Sequence, residues 1–188
     1  MSNEPSLEAR VALLEDRFAI MDLVARYCAA IDGRDLEGFV DCFTTDGVIR
    51  HADGTMRLEG SKAIRNYYTR RFADYGVTFH YPHSHTVEID APDDAHGVVT
   101  AHGVVTAHAE MALNGEAWIA AFRYTDRYRR EDGRWRFAER ELACWYYMPL
   151  SQLAEGMAAD LRKHYRGEVI AAELPESLAT YREWQTTM

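Results

Sequence analysis

The sequence predicts an α+β fold in which helices come first and a strongly bent antiparallel sheet follows. Apolar residues recur every three to four positions up to residue 75, as on one face of a helix, and at every second position from Phe79 onward, as in a strand. Short turns separate the later segments, which is typical of antiparallel neighbours. We therefore expect helices packed on one face of a meander.

Three helices are predicted in the first part of the chain. The first spans 6–31 as a broad apolar stripe and ends before Gly33. The second spans 35–43 and begins with an aspartate cap, and the third spans 61–75. Between the last two, strand 48–51 returns onto 55–58 through the Asp53-Gly54 turn.

Four longer strands are predicted in the second part of the chain, at 79–90, 95–113, 117–130 and 134–147. The breaks between them are Pro92-Asp93-Asp94, Asn114-Gly115 and Asp132-Gly133. A further helix is predicted at 150–164, and the tail to residue 188 is expected to pack on a neighbour or to fray. The core of the single predicted domain then lies at about 7–148, with a C-terminal helix and tail at 149–188.

The second long strand contains a six-residue repeat, HGVVTA, at 96–101 and again at 102–107. Because six is an even number, the copy lengthens the strand without exchanging its two faces. The small apolar residues are expected to point inward. His96, His102 and His108 then point outward, to solvent or to a subunit contact.

Composition excludes several classes of protein. The chain has 188 residues and 47% hydrophobic residues, as expected for one globular domain, and its formal charge of −9 gives no basic surface for nucleic acid. Cys28, Cys42 and Cys144 are odd in number and widely spaced, so we expect free buried thiols. With no apolar run long enough to span a membrane, a cytoplasmic protein without membrane contact is expected.

Histidine is the residue type that dominates the start of the first long strand. His80, His83 and His85 fall within six residues. Histidine accepts and donates protons near neutral pH, and it is also the commonest metal ligand. Proton transfer and metal binding are therefore the two chemical hypotheses for this segment.

The proton-transfer hypothesis pairs His80 with Asp32 and Tyr27. A carboxylate bonded to one ring nitrogen fixes the imidazole tautomer, so that the other nitrogen acts as a base. Asp32 lies at the C-terminal end of the first helix, where a negative charge is disfavoured by roughly 0.3–1 kcal/mol and needs a partner. The alternative is that Asp32 only ends the helix and Tyr27 only packs in the core.

The metal hypothesis uses His83, His85 and Glu88, which have a weak similarity to the ligand motif of cupins. The spacing differs from that motif, and on a regular strand Glu88 points away from the two histidines. We therefore expect structural histidines, no metal and no cofactor.

Several segments together resemble one known family. They are YCAAIDGRDL with FVDCFTTDGV, HYPHS before a strand, and YTDRYRREDGRWRF late in the chain. In this order they resemble the SnoaL-like branch of the nuclear-transport-factor-2-like superfamily over about 13–147. The resemblance implies a conical α+β barrel, a curved sheet around a deep pocket that the helices close.

The chain looks most similar to the lyases of this family, which are dehydratases and a dehydrochlorinase. The resemblance implies a dyad of Asp32 and His80 that removes a proton, with Tyr27 beside it. His51 stands where the dehydratases have a tyrosine, and Arg140 matches a pocket arginine that could hold a leaving anion or an enolate.

One feature departs from the dehydratases of the family. Their second long strand carries a polar pocket residue, and the matching positions here are near Gly103 and Val105. We therefore expect an apolar wall at this point, which weakens the case for dehydration in particular but not for the dyad.

These features together predict a cofactor-independent lyase for a small hydrophobic cyclic substrate. An isomerase or a polyketide cyclase would use the same dyad. A non-catalytic binding or assembly module of the same fold is the alternative outside enzymes, and it would not need Asp32 and His80 in contact. A homo-oligomer, trimer or dimer, is expected from the resemblance.

Overall fold

The computed structural model of the chain describes residues 5–90 and 98–188. Three helices come first, α1 (Leu7–Asp32), α2 (Leu36–Asp41) and α3 (Ser61–Asp74). Two of the predicted starts are confirmed by side-chain caps. The Ser6 hydroxyl accepts a hydrogen bond from the backbone N–H of Ala9, and the Asp35 carboxylate accepts one from that of Gly38.

Eight strands form one curled sheet that packs against these helices. The strands are β1 (Phe43–His51), β2 (Arg57–Glu59), β3 (Tyr75–Ile89), β4 (Thr100–Leu113), β5 (Glu116–Glu131), β6 (Arg134–Pro149), β7 (Leu161–Tyr165) and β8 (Glu168–Ala171). Strands β3 to β6 form the predicted antiparallel meander, and β1 adds to β6 in parallel. The main order is β2-β1-β6-β5-β4-β3, so the sheet curls without closing among the described residues.

The predicted α+β class is therefore confirmed, and so are two of its turns. Asn114-Gly115 and Asp132-Gly133 all have positive φ, which is the backbone geometry of the tight turns that join twisted antiparallel strands. The break predicted at Pro92-Asp93-Asp94 lies outside the described residues.

Helix α1 is only partly covered by the sheet. Its second half buries Ile20, Leu23 and Tyr27, whereas Leu14 and Phe18 in the first half are 54% and 63% exposed. The predicted helix forms, but only the second half of its apolar stripe is covered by the rest of the chain. A helix of 26 residues is about 39 Å long, and only its C-terminal part packs in the core.

The repeat in β4 orients its residues as predicted. Ala101, Val105 and Ala107 are buried, while His102 is exposed and His108 is half-buried on the opposite face. His96 lies outside the described residues. The small residues allow close packing on this face, since a side chain at Gly103 would collide with the backbone of β3.

The helix predicted at 150–164 is wrong. Only a 3₁₀ turn (Leu150–Gln152) and the short α4 (Leu153–Gly156) form there, followed by the β7–β8 hairpin. Two causes outweigh local helix propensity. Arg166 and Gly167 have positive φ and form a tight turn, and β7 pairs with β6 at Lys163 and Tyr147. A short helix α5 (Ala179–Gln185) ends the chain.

The state of the cysteines and the character of the helices match what the sequence predicts. Cys42 and Cys144 are buried, Cys28 is half-buried, and all three are free thiols as predicted. No described helix has the length and apolar character that a membrane span requires. The cytoplasmic location and the homo-oligomer stay predictions.

Candidate active site

Asp32 and His80 are in direct contact at the end of α1 and on β3. The His80 Nδ1 atom lies 2.6 Å from Asp32 Oδ1, and the His80 backbone N–H donates to Asp32 Oδ2 at 2.9 Å. The Thr78 hydroxyl donates to Asp32 Oδ1 at 3.1 Å. The carboxylate is therefore bonded through both oxygens, and its bond to Nδ1 orients the imidazole ring.

These bonds set the protonation state of Asp32. Burial alone would raise the pKa of its carboxyl group. The hydrogen bonds from the ring and backbone of His80, together with that from Thr78, outweigh burial and lower the pKa below its ordinary value. Asp32 is therefore ionised at neutral pH, and Nδ1 of His80 carries a proton toward it.

Arg34 fastens the end of α1 to the start of β3. Its guanidinium donates to the Ile31 carbonyl and to the Thr78 hydroxyl, both at 2.8 Å, and to the carbonyls of Tyr75 and Gly76. The backbone at Arg34 has φ of 60°, a left-handed conformation that costs a residue with a side chain about 1–2 kcal/mol. These bonds offset that cost and hold Asp32 opposite His80.

His80 lines a cavity of about 80 Å³ between the helices and the concave face of the sheet. The wall is mostly aromatic and aliphatic and includes six tyrosines. Its charged or strongly polar side chains are Arg34, His51, Arg71, Thr78 and His80. Such a wall excludes water and leaves a few polar groups to orient a bound molecule.

Tyr27 lines the same cavity one turn and a half before Asp32. Its side chain is buried, and its ring packs against those of Phe39 and Phe137 at 5.2 and 5.6 Å between centroids. Burial raises the pKa of Tyr27, so the phenol keeps its proton at neutral pH. A protonated phenol can donate a hydrogen bond or a proton to a ligand.

Arg140 lies behind the cavity wall instead of in it. Its side chain is fully buried, and its guanidinium forms a two-point ion pair with Asp126 at 2.9 and 2.8 Å. The same group packs on the rings of Tyr27 and Tyr124 at 4.3 and 4.2 Å from their centroids. The expectation that Arg140 faces the cavity is therefore wrong, because the carboxylate of Asp126 holds it in the core.

His51, the last residue of β1, also lines the cavity. Its Nδ1 atom lies 3.0 Å from the Thr55 hydroxyl. Burial, helped by the nearby charge of Lys163, lowers the pKa of His51 to about 4. The ring is therefore neutral at pH 7 and can serve as a hydrogen-bonding group but not as a cation.

Gly103 and Val105, near which the dehydratases carry a polar pocket residue on their second long strand, do not line the cavity. Gly103 and Val105 are buried in the sheet, and Met111 is the one residue of the described part of β4 that lines the wall. The wall at β4 is thus apolar, as the sequence indicates.

With the fold and this geometry in view, comparison with known proteins identifies the family. The profile of the SnoaL-like domain, part of the nuclear-transport-factor-2-like superfamily, matches residues 12–141. This match covers more than half of the chain. The chain belongs to the SnoaL-like family.

Solved structures with the same fold include proteins with and without an assigned activity. A hexachlorocyclohexane dehydrochlorinase is 20% identical, with a TM-score of 0.67 over 85% of this chain and 99% of that chain. A protein from Novosphingobium aromaticivorans provisionally assigned as a scytalone dehydratase is 22% identical, with a TM-score of 0.62 over 73% and 88%. A Mycobacterium tuberculosis protein of unknown function is 27% identical, with a TM-score of 0.60 over 70% and 77%.

The three residues considered as metal ligands, His83, His85 and Glu88, each contact a different side chain. His83 Nε2 lies 2.7 Å from His108 Nδ1, and His85 Nε2 lies 3.0 Å from the Tyr128 hydroxyl. Glu88 approaches His102 at the surface. An irregularity in β3 between Pro82 and His85 separates the two histidines. Within 5–90 and 98–188, no three potential metal ligands come together.

Sequence reasoning missed several residues of the SnoaL-like site. Thr78 shares the strand face of His80, two positions earlier, and this alternation was a usable signal. Arg34 and Arg71 gave no such signal, because their positions depend on how α1 and α3 pack against β3.

Proposed function

We propose that this SnoaL-like chain is a cofactor-independent lyase that removes a proton and a leaving group from a small hydrophobic cyclic molecule. The observation that carries the proposal is the contact between the Asp32 carboxylate and the His80 imidazole at the wall of an open aromatic cavity. A non-catalytic binding module would need the open space but not the contact, and an assembly module would need neither, so the contact at an open cavity favours an enzyme.

His80 is the proposed base and Asp32 its positioning partner. Because Nδ1–H is bonded to Asp32, the second ring nitrogen, Nε2, is left to accept a proton. The ionised carboxylate also stabilises the imidazolium that forms when Nε2 is protonated. The surrounding apolar wall strengthens this charge interaction by excluding water.

Tyr27 is the proposed acid in an elimination of water. His80 takes a proton from a carbon atom, the electrons of that C–H bond form the new double bond, and the neighbouring C–O bond breaks with its electron pair on oxygen. Tyr27 donates the proton that makes the leaving group water. Transfer of the proton held by His80 back to Tyr27, through solvent, restores both residues. A halide would leave without that proton.

Arg140 takes part in the proposal only through Tyr27. Its guanidinium lies 4.3 Å from the centre of the Tyr27 ring, and its positive charge opposes the rise in the pKa of Tyr27 that burial causes. The charge thereby stabilises electron density on the phenol oxygen when a proton is given away. Arg140 is not proposed to contact the leaving anion, because its guanidinium is bonded to Asp126.

The test begins with a ligand panel of hydroxylated ketones, steroids and halogenated rings. Compounds that bind the native protein raise its melting temperature by mass action, and those are then assayed for unsaturated products. A product of the same mass as the substrate would indicate isomerisation or cyclisation instead of elimination.

The decisive variant is His80→Ala, with His83→Ala as its matched control. We expect His80→Ala to lose roughly two to four orders of magnitude in rate with its fold intact. His83 is on the same strand, is exposed and lies outside the cavity, so its variant should keep full activity. Near-normal turnover by His80→Ala, or no product from any compound that binds, would overturn the proposal.

A further inference from the structure

Arg71 lies where the inner cavity meets a second, outer groove. The inner cavity of about 80 Å³ and the outer groove of about 480 Å³ share Arg71, Tyr75 and Tyr147 as lining residues. The hydroxyl groups of Tyr75 and Tyr147 lie 3.0 Å apart. These three side chains therefore form the partition between the two spaces, and a molecule that spans it must contact Arg71.

The guanidinium of Arg71 has no carboxylate partner among residues 5–90 and 98–188. It stacks on the Tyr75 ring at 4.5 Å from the centroid, and no carboxylate or other hydrogen-bond acceptor in the described part of the chain pairs with it. Arg34 in the same wall differs, because carbonyls and the Thr78 hydroxyl already use its donors. Stacking leaves the edge of a guanidinium and its N–H groups available, so Arg71 can still bind a ligand.

The charge around Arg71 contrasts with the charge of the whole chain. The chain has 30 acidic and 21 basic residues. The inner wall nevertheless contains two arginines, Arg34 and Arg71, and the outer groove contains Arg71 and Arg166. Neither wall includes a carboxylate among the described residues. The side chains that line both spaces therefore carry positive charge, in a chain whose formal charge is −9.

A second unused donor lines the outer groove. The Nε1 atom of Trp118 is buried and has no hydrogen-bond partner in the described part of the chain. A buried N–H group without an acceptor is unfavourable, so an acceptor supplied by a ligand would improve its environment. The Trp118 N–H group in the outer groove and the Arg71 guanidinium at the junction can therefore both donate to an acceptor such as a carboxylate.

We infer that the molecule taken by this site is a compact cyclic carboxylic acid, with its carboxylate bound by Arg71 at the junction and its ring in the inner cavity. The inference rests on the proposed function, to which it adds the substrate class. A guanidinium binds a carboxylate through two parallel N–H···O bonds, so Arg71 fixes both the charge and the orientation of the ring toward His80.

The test compares matched acids and amides, which have the same shape and differ in charge. The probes are benzoate and benzamide, phenylacetate and phenylacetamide, and cyclohexanecarboxylate and its amide, titrated calorimetrically. The variants are Arg71→Gln and Arg71→Lys, with Arg70→Gln as control because Arg70 is exposed on the same helix and outside both walls. Melting temperatures establish that each variant is folded.

We expect the wild-type protein to bind acids at least about tenfold more tightly than their amides. Arg71→Gln should lose about 10- to 100-fold in affinity for the acids and little for the amides, since a charge-assisted hydrogen bond is lost. Arg71→Lys should keep part of the preference, because a lysine retains the charge without the fork. Arg70→Gln should match the wild type.

Equal binding of acids and amides by the wild type, no binding of any acid, or an unchanged acid preference in Arg71→Gln would each overturn the inference. If Arg71→Gln does not fold, Arg71→Lys decides, and an undiminished preference in that variant counts against the two-point contact. The readout is equilibrium binding, which does not require turnover. Failure of the elimination proposal would show instead as full activity in His80→Ala, so the two failures are distinguishable.

Discussion

His80 holds both oxygens of Asp32, one with its ring and one with its backbone. The ring nitrogen lies 2.6 Å from Oδ1, and the backbone N–H lies 2.9 Å from Oδ2. Asp32 is the last residue of α1, where the helix dipole disfavours a negative charge. The two bonds compensate for that position, so the contact with β3 stabilises the ionised carboxylate in the folded chain.

The first prediction concerns Asp32→Asn. The amide keeps the shape of the carboxylate but loses the charge that stabilises the imidazolium, so we expect a loss of about two to four orders of magnitude in kcat. Steady-state kinetics with a compound turned over by the wild type measures this. Asp22→Asn is the control, since Asp22 is exposed on the same helix. A fall of less than about fivefold would contradict the role given to the carboxylate.

The second prediction concerns Thr78→Val, which removes one hydrogen bond to Asp32 and preserves the side-chain shape. The pKa of Asp32 should rise, because that bond favours the ionised form. Since the folded pKa is depressed, Asp32 stabilises the fold above the unfolded pKa of about 3.9, and this is lost as pH falls through the folded pKa. In Thr78→Val the folded pKa lies closer to the unfolded one, so the loss should be smaller and should be complete at a higher pH.

An NMR titration of the Asp32 carboxyl carbon measures this change directly, and urea unfolding at several pH values measures its effect on stability. Thr86→Val is the control, because Thr86 is exposed on the same strand and does not contact Asp32. An unchanged Asp32 titration in Thr78→Val would show that the hydroxyl does not contribute.

The order of elements was largely predictable from the sequence. The caps at Ser6 and Asp35 and the turns at Asn114-Gly115 and Asp132-Gly133 act locally, so residues near in sequence determine them. The contact between Asp32 and His80 was suggested by local chemistry as well, since a carboxylate at a helix C-terminus needs a partner.

The errors arose where long-range packing decides the outcome. The segment 150–164 has an apolar pattern compatible with a helix, but pairing at β6 and the turn at Arg166-Gly167 convert most of it to other structure. Arg140 has the alternation of a cavity residue, yet Asp126 on the adjacent β5 holds it in the core. The periodicity of one strand does not reveal which residue of the neighbouring strand lies opposite a given position.

The third prediction concerns Lys163, which joins β7 to two acidic residues. Its buried ammonium lies 2.6 Å from Asp53 Oδ2 and 2.5 Å from Glu173 Oε1. Lys163→Met leaves these carboxylates without their cation, and we expect the free energy of unfolding at pH 7 to fall by about 3–5 kcal/mol. Urea denaturation measures it, with Lys62→Met at an exposed position as control.

The same variant should respond to acid in the opposite sense to the wild type. Burial alone would raise the pKa of Asp53. The hydrogen bonds from Lys163 and Thr55 outweigh burial and lower this pKa to about 2. In the wild type Asp53 thus stabilises the fold above about pH 3.9, and this stability is lost as pH falls toward 2. In Lys163→Met, protonation of Asp53 and Glu173 removes the cost of two buried carboxylates without a cation. The difference in unfolding free energy between the wild type and this variant should therefore become smaller as the pH falls. A gap independent of pH would argue that the lysine acts only by packing.

The fourth prediction separates the structural role of Arg140 from a direct role in binding. Arg140 and Asp126 are fully buried and bonded at two points, so Arg140→Met or Asp126→Leu alone leaves one charge buried and unpaired. Each single variant should lose about 3–5 kcal/mol of stability, and the double variant should regain most of it. The partly exposed Arg50, which pairs with Glu139 and Glu141, is the comparison, and Arg50→Met should cost about 1 kcal/mol or less.

The double variant also tests binding, because it restores the fold without the guanidinium. If Arg140 acts only from behind Tyr27, the double variant should bind the cyclic acids as the wild type does and lose only turnover, as the phenol loses its nearby charge. A well-folded double variant that no longer distinguishes acids from amides would mean that Arg140 reaches the ligand itself. In that case the ion pair with Asp126 must open when a ligand binds.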